Sequence, residues 1–557
     1  MPAPPIAEEI SVKFKAAIEK RLRAGYSPQG VAGGKGSSVQ WAAKDIPVDQ
    51  RRLSSWVRRQ KLNTENGKKS FSPDWTLWNR SATSISRGHI MPPARRWLVT
   101  AAQNDTPVHD RFWQNLKAYA AFVGAEILVG PFTYQLGTFT DHTTRNNVFA
   151  EAVRSHLRFE RVECGDVLFC AEMNTLPTAE RPLSGLHTYT RGQWGVFPHA
   201  KVALETVPAM PGKMPPVIMT TGCCTVENYI PKKAGLKAAF HHVIGATLIE
   251  IDPQGRHFCR QINAVEDGSF QDLDHAVSAG KVTAGHRVAA ITWGDVHRSV
   301  LEQGAARAAW GLDAATLAPV SETSMLDDLR PFDQFFHDLF HGAAINHWQE
   351  DKHLERYPLH VAGKLNVAAE VVGCSQFLRA TERQWCRSHV VESNHDYWIL
   401  RWLQRADPRK DLTNAEAFYR WNLAAMEAGR LGDETFSIFR HVLKEADSRN
   451  LEGINFIPIG SSFEICRDRG GIECGLHGHL GSNGTRGTTS NLARVAIKIN
   501  KGHDHTATIH DGVYSAGANG DDPALKKGPS SHSASDIIVY PNSKRTIITK
   551  HGDRYRA

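Results

Sequence analysis

The 557-residue chain lacks the marks of several large protein classes. No stretch approaches the ~18 consecutive apolar residues that a spanning helix needs. The opening MPAPPIAEEISVKFK has neither a basic n-region nor an apolar h-region, so neither a membrane span nor a secretory leader is expected. Cysteine is sparse: nine residues, at 164, 170, 223, 224, 259, 374, 386, 466 and 474, odd in number and never spaced C-x-x-C. That argues against a disulfide framework and against a zinc ribbon, and makes each cysteine a small buried apolar residue in a reducing cytoplasm. Between 96 and 285 there is no G-x-G-x-x-G, no Walker loop and no G-x-S-x-G. Low-complexity sequence is confined to GPSSHSAS near 528–535, and no internal repeat is visible.

What is present is an ordinary globular composition, 41% hydrophobic and 22% charged, long enough for several domains. The net charge of +8 is unevenly placed. Residues 1–75 hold 14 Lys and Arg against 7 Asp and Glu, so nearly all of the excess is N-terminal. Within that stretch, residues 7–24 carry apolar positions at helical spacing, and Gly25-Tyr26-Ser27-Pro28 ends the run. A short helix near Ser38–Ala43, a break at Asp45-Ile46-Pro47 and a second helix from Val48 follow. The second helix puts Arg52 and Arg59 on one face and Leu53, Trp56 and Val57 toward a core. This resembles a helix-turn-helix, with Arg51, Arg52, Arg58 and Arg59 as candidate DNA contacts. An uncommitted basic helical hairpin is the other reading. The polar stretch near 63–90 is expected to be linker.

From 90 to 285 the pattern is α/β. A strand at Trp97–Thr100, an amphipathic helix through Phe112, Trp113, Leu116, Tyr119 and Phe122, and a strand at Glu126–Val129 come in that order. Further apolar segments lie at 167–171, 217–220 and 244–251. The pairs Cys223-Cys224 and His241-His242 fit burial or turn roles better than a metal site, because adjacent residues point in different directions. No task is assigned to this region.

The informative segment starts at Arg287–Trp293, a strand-like run ending in Gly294-Asp295-Val296-His297. Residues two apart on a strand share a face, so Asp295 and His297 could both reach one cation. Four more segments of the kind follow: Phe336-His337-Asp338-Leu339-Phe340-His341, Ser393-Asn394-His395-Asp396, Gly475-Leu476-His477-Gly478-His479 and Gly502-His503-Asp504-His505. Such a mixed nitrogen and oxygen donor set without thiolate suits Mn, Fe, Zn or Mg in open sites better than a closed structural zinc. Most of the 27 histidines must be surface or core residues, and His275, His347, His353 and His510 are given no role.

Asp-x-His, Asp, Asn-His-Asp, His-Gly and Gly-His-x-His, in that order over about 286–520, resemble the calcineurin-like metallophosphoesterase family. The wording SNHDYWILRW, GLHGHLGSNGTRG and GHDHTATIHDGVYSAG is similar to phage-encoded members, which implies the host cytoplasm as location. The resemblance implies an α/β sandwich over 286–550 and a pair of divalent ions, Mn first. Asp295, His297 and His505 would bind one ion, Asn394, His477 and His503 the other, and Asp338 would bridge them. His395 would face the phosphate, with Asp396 setting its tautomer. A metal-bridging hydroxide would attack phosphorus in line. Two departures stand out: His337 precedes Asp338, and Ser393 precedes Asn394, where the family has glycine. His479 could replace His477, and Arg486 could meet the substrate phosphate, though a turn-stabilising arginine is the commoner role.

The sequence thus predicts a basic N-terminal module (1–75), an α/β middle domain (90–285) and a metallophosphoesterase domain (286–550). The expected activity is hydrolysis of phosphodiesters, DNA foremost. A phosphomonoesterase or protein phosphatase on the same fold, and a DNA-binding regulator with an inactive scaffold, are the alternatives. The tail, Ile537–Tyr540 and Thr546–Thr549 around Pro541-Asn542-Ser543-Lys544, is expected to form a hairpin on the sheet carrying the last two motifs, followed by frayed residues 551–557.

Overall fold

The computed structural model describes residues 94–134, 148–347, 349, 351–522, 526 and 528–557, with two short strands farther upstream. The chain divides into two units, Met1–Pro92 and Pro93–Ala557. In the first, Asn63–Glu65 pairs antiparallel with Lys68–Ser70, so part of the expected linker is a hairpin. The sequence between the strands is Asn66-Gly67, the dipeptide that best suits a two-residue hairpin loop. The expected helix-turn-helix, with Arg51, Arg52, Arg58 and Arg59, lies outside the described residues.

The second unit begins with the expected strand, helix and strand. Arg95–Gln103 and Ala125–Phe132 are parallel neighbours, connected through the helix Asp110–Val123. The His109 ring caps the helix by accepting from Phe112 N, and Gly124, at φ 67°, ends it in the left-handed region. Phe112, Trp113, Leu116, Tyr119 and Ala120 face the sheet, whereas Phe122 is 55% exposed. Gly245–Ile251 and His257–Asn263 complete this four-stranded sheet.

Six strands form the second sheet, in the spatial order Ile454–Ile457, Arg387–Val391, Asp333–His337, Ala290–Thr292, Ser535–Val539, Arg545–Thr549. The first four are parallel, Ser535–Val539 pairs antiparallel with them, and Arg545–Thr549 pairs antiparallel with it in turn. Alternate residues enter different cores, as a sheet covered on both faces requires. Ile291, Phe336, Val390 and Ile538 pack against the helices Gln303–Trp310, Val367–Thr381, Trp398–Arg405, Ala415–Leu431 and Ile438–Glu445. Ala290, Phe335, Val391 and Val539 pack with Ile472 and Cys474 of a third sheet. On the helical side, Trp293, Trp310 and Phe377 stack edge to face or tilted at 4.9 and 5.0 Å. Truncating Phe336 among them would cost about 3–5 kcal/mol.

The third sheet has ten strands and joins distant parts of the chain. Its one half comprises strands between Arg161 and Thr220, the other strands between Glu464 and Ser515, and they meet where Thr508 pairs with Glu205. Continuous pairing therefore crosses the boundary expected at 285/286. The tail hairpin forms as expected, but on the other sheet: Ile537, Ile538 and Val539 pair with Thr292, Ile291 and Ala290, beside the first three motifs and not the last two. Its alternation toward two buried faces suits a sheet covered on both sides. Nor is the end frayed, since buried Tyr555 bonds Asp328 and Arg556 pairs with Asp274 and Asp328.

Candidate metal centre

Parallel strands end together, and loops beyond their carboxyl ends form a common crevice. Here Ala290–Thr292 runs into Asp295 and His297, Asp333–His337 into Asp338, and Arg387–Val391 into Asn394. The register sets His337 opposite Val391, so the loops that follow begin side by side. The short parallel strands Ile472–Glu473 and Ile499–Lys501 deliver His477, His503 and His505 from the ten-stranded sheet. Asp338, His297, His503 and His505 all have positive φ, between 42° and 75°, a backbone state uncommon for non-glycine residues.

Two donor groups result, and Asp338 belongs to both. Asp295, His297, Asp338 and His505 offer ligand atoms that all lie within 4.8 Å of one another, as do Asp338, His477 and His503. His505 Nε2 stands 3.2 Å from Asp295 Oδ2 and 3.0 Å from His297 Nε2, and His297 Nε2 is 3.6 Å from Asp338 Oδ2. On the other side His477 Nε2 is 3.3 Å from Asp338 Oδ1. His477, and not His479, joins the group. Asn394 Oδ1, on the loop after Arg387–Val391, is buried without a hydrogen-bond partner.

The donor set fits metal ions. Asp295 Oδ1 is also buried without a hydrogen-bond partner, and buried Asp338 Oδ1 and His477 Nε2 face only each other, a costly arrangement that a cation would complete. Two imidazole Nε2 atoms at 3.0 Å cannot both present lone pairs to each other, but both can present them to one ion. Burial drives His297 well below the usual histidine range and His503 down to about 3, keeping them neutral as ligands. Burial alone would raise the Asp338 carboxyl, yet His477 and His395 hold it well below its ordinary value. Burial opposes charge on His477 and His505 too, but Asp338 and Asp295 respectively raise them.

Neighbouring groups brace these donors. His395 Nδ1 lies 2.8 Å from the His341 carbonyl, and its ring stacks on Trp398 at 4.0 Å. A carbonyl can only accept, so Nδ1 carries the proton and Nε2 is the ring's free nitrogen. The expected role of Asp396 is thereby corrected: the tautomer is set by His341. Asp396 instead accepts from Phe340 N at 3.3 Å and Ser393 N at 2.9 Å, tying the two ligand loops together. Burial, then Asp338, pushes its carboxyl up to about 8. The two departures from glycine acquire local roles as well. Ser393 Oγ accepts from Asp396 N, and His337 Nδ1 meets His477 Nδ1 at 3.4 Å.

Arg486 is exposed on a turn whose backbone pairs Leu480 with Arg486. Three further residues have roles that were not expected from the sequence, although His341 closes the second motif segment. His341 forms a third donor group with His297 and His395. Glu370 accepts from the backbone of His341 and Gly342. Lys501, fully buried, bonds Asp504 at 2.6 Å and so fixes the loop between His503 and His505. A lysine at a buried strand position two residues before a ligand was the available sign for the last. Elsewhere Cys223 and Cys224 are buried, and His242 bonds Tyr229 and the Thr225 carbonyl, as their turn and core roles required. All nine cysteines are free. Among the described residues no helix is long and apolar enough to cross a membrane.

No family model matches the chain, and no solved structure matches it. Protein A1 of Escherichia phage T5 is 35% identical over 471 residues, which cover 82% of this chain and 81% of the phage protein. With that identity sustained over most of both chains, the protein belongs to the family of Protein A1 of Escherichia phage T5.

Proposed function

We propose that this chain is a calcineurin-like, metal-dependent phosphoesterase that hydrolyses phosphodiester bonds of DNA at a dinuclear centre. The observation that carries this reading is the sharing of Asp338 between two donor groups, because a bridging carboxylate is what holds two cations at one substrate oxygen. Asp295, His297 and His505 would complete one ion's shell, and Asn394, His477 and His503 the other's. Manganese is the metal we favour for such nitrogen and oxygen donors, with Fe, Zn or Mg as alternatives. When bound, the pair supplies Lewis-acid activation of water and of the phosphoryl oxygens.

The chain's own residues account for orientation and proton movement. Hydrolysis adds water across one P–O bond, and the departing oxygen needs a proton. With Nδ1–H committed to the His341 carbonyl, His395 can donate from Nε2 only as the imidazolium: its Nε2 proton passes to the departing oxygen and the ring is left as the neutral Nδ1–H tautomer. Trp398 stacked on the ring holds it in place. Asp396 keeps the two loops in register, and exposed Arg486 is a candidate contact to the phosphate.

DNA is favoured as substrate by the basic excess in residues 1–75, where Arg51, Arg52, Arg58 and Arg59 would contact phosphates and base edges. The test is purified protein with Mn offered plasmid DNA, linear DNA, bis-p-nitrophenyl phosphate and p-nitrophenyl phosphate. DNA and the diester should be cut, and Asp338→Asn should abolish both activities while the fold survives. Hydrolysis of the monoester alone would make the protein a phosphomonoesterase, and cutting that persists in Asp338→Asn would remove the centre.

A further inference from the structure

Beside the metal centre lies a cleft of about 610 Å³ whose charged lining no part of the mechanism uses. Trp398 belongs to both places: its ring stacks on His395, and it also lines the cleft. The helix Trp398–Arg405 supplies Trp398, Arg401, Trp402 and Arg405, positions i, i+3, i+4 and i+7, which share one face. Arg356 and Lys410 join them.

Charge here is unpaired. Among the described residues none of Arg356, Arg401, Arg405 and Lys410 makes an ion pair. The two acids on the wall are engaged, since Asp407 is held by Arg409 at 2.9 and 3.0 Å and Asp411 accepts from Asn414 at 2.8 Å. Arg356 is tied by one nitrogen, Nη2, to the Ala344 carbonyl at 3.0 Å, while its buried Nη1 has no partner. Arg401 Nε is likewise buried without a partner. Guanidinium N–H groups left unsatisfied next to a phosphoesterase centre are donors arranged for an anion.

We propose that this cleft binds the single polynucleotide strand next to the scissile phosphate, Arg356 and Arg401 gripping one backbone phosphate and Arg405 with Lys410 the next phosphate but one. The inference rests on the phosphodiesterase reading above and specifies the form of its substrate. Four residues of helix separate Arg401 from Arg405, about 6 Å of rise, close to two nucleotides stacked at ~3.4 Å. A cleft of this size has the volume of a small-molecule site, which suits a short stretch of one strand. Trp398 offers an aromatic ring of the kind on which a base can stack.

The test is anisotropy of a fluorescent six-nucleotide DNA strand bound to the full chain in EDTA, with Mn-dependent hydrolysis of bis-p-nitrophenyl phosphate measured alongside. Arg401→Ala, and separately the exposed pair Arg405→Ala with Lys410→Ala, should weaken binding about ten- to hundredfold. For every phosphate that is no longer neutralised, the slope of log affinity against log salt should flatten by about 0.7. Diester hydrolysis should stay at the wild-type rate. Unchanged affinity and slope in both variants would overturn the cleft. If Arg401→Ala fails to fold, the exposed pair decides. A wild type that binds the strand through these residues but leaves the diester intact would uphold the cleft and overturn the phosphoesterase reading instead.

Discussion

Replacing Gly502 by alanine tests the donor geometry through a single methyl group. A Cβ at this position would stand 2.1 Å from Asp295 Oδ1 and 3.0 Å from His337 Cβ. Nonbonded heavy atoms are comfortable near ~3.5 Å, so the carboxylate must retreat by more than about 1 Å. It has little freedom to do so, because Oδ2 accepts from His503 N at 2.8 Å and faces His505 Nε2 at 3.2 Å. Metal–oxygen bonds are about 2.0–2.2 Å long, and a shift of this size breaks one. The expected result is a loss of metal affinity of at least 10- to 100-fold and a fall in turnover on the order of a hundredfold. The overpacking itself should cost about 1–3 kcal/mol of stability. Metal content after desalting, read by mass spectrometry, reports the first effect, and thermal melts in EDTA isolate the second. Gly429→Ala is the control: nothing lies within 4 Å of its Cβ, and it sits exposed in the helix Ala415–Leu431. That change should add about 0.5–1 kcal/mol and leave metal content alone. Gly502→Ala protein that holds two ions and turns over at the wild-type rate would refute the placement of Asp295 as a ligand.

His395→Asn should keep metal content and lower turnover by about 10²- to 10⁴-fold, as loss of a proton donor does; loss of metal in that variant would make His395 a ligand instead. Asp447 accepts from Arg379 at 2.7 and 3.1 Å, and chiefly this bond holds its carboxyl at about 2, below the ordinary 3.8. A depressed carboxyl stabilises the fold above its ordinary value and ceases to as pH falls through the depressed one. The stability gap between wild type and Asp447→Asn should therefore narrow by about 2 kcal/mol between pH ~4 and ~2, and a constant gap would contradict this. Replacing Arg51, Arg52, Arg58 and Arg59 together by alanine should flatten the salt dependence of duplex DNA binding, by up to about 0.9 for every phosphate these arginines neutralise; an unchanged slope would count against the N-terminal module.

Much of the candidate site was legible in the sequence because its donor residues sit at strand ends within short, spaced motifs. Asp295 and His297 follow a run of apolar residues whose period is visible, and the order of the later segments does the rest. What could not be read depends on pairing between distant parts of the chain. Nothing near Thr508 says that it pairs with Glu205, and strands of two to four residues carry too little alternation to declare themselves. The tail hairpin is visible from its turn and apolar runs. Its sheet is not, since the choice depends on which edge of Ala290–Thr292 is left unpaired by Asp333–His337. The role of Asp396 is hidden for a similar reason: it follows His395 directly, but the loop turns its carboxylate back to the Ser393 and Phe340 amides.

The most direct measurement is anomalous diffraction from crystals grown with Mn. Two peaks should flank Asp338, one among Asp295, His297 and His505 and the other among Asn394, His477 and His503. A single peak, or ions bound elsewhere with this cavity empty, would contradict this.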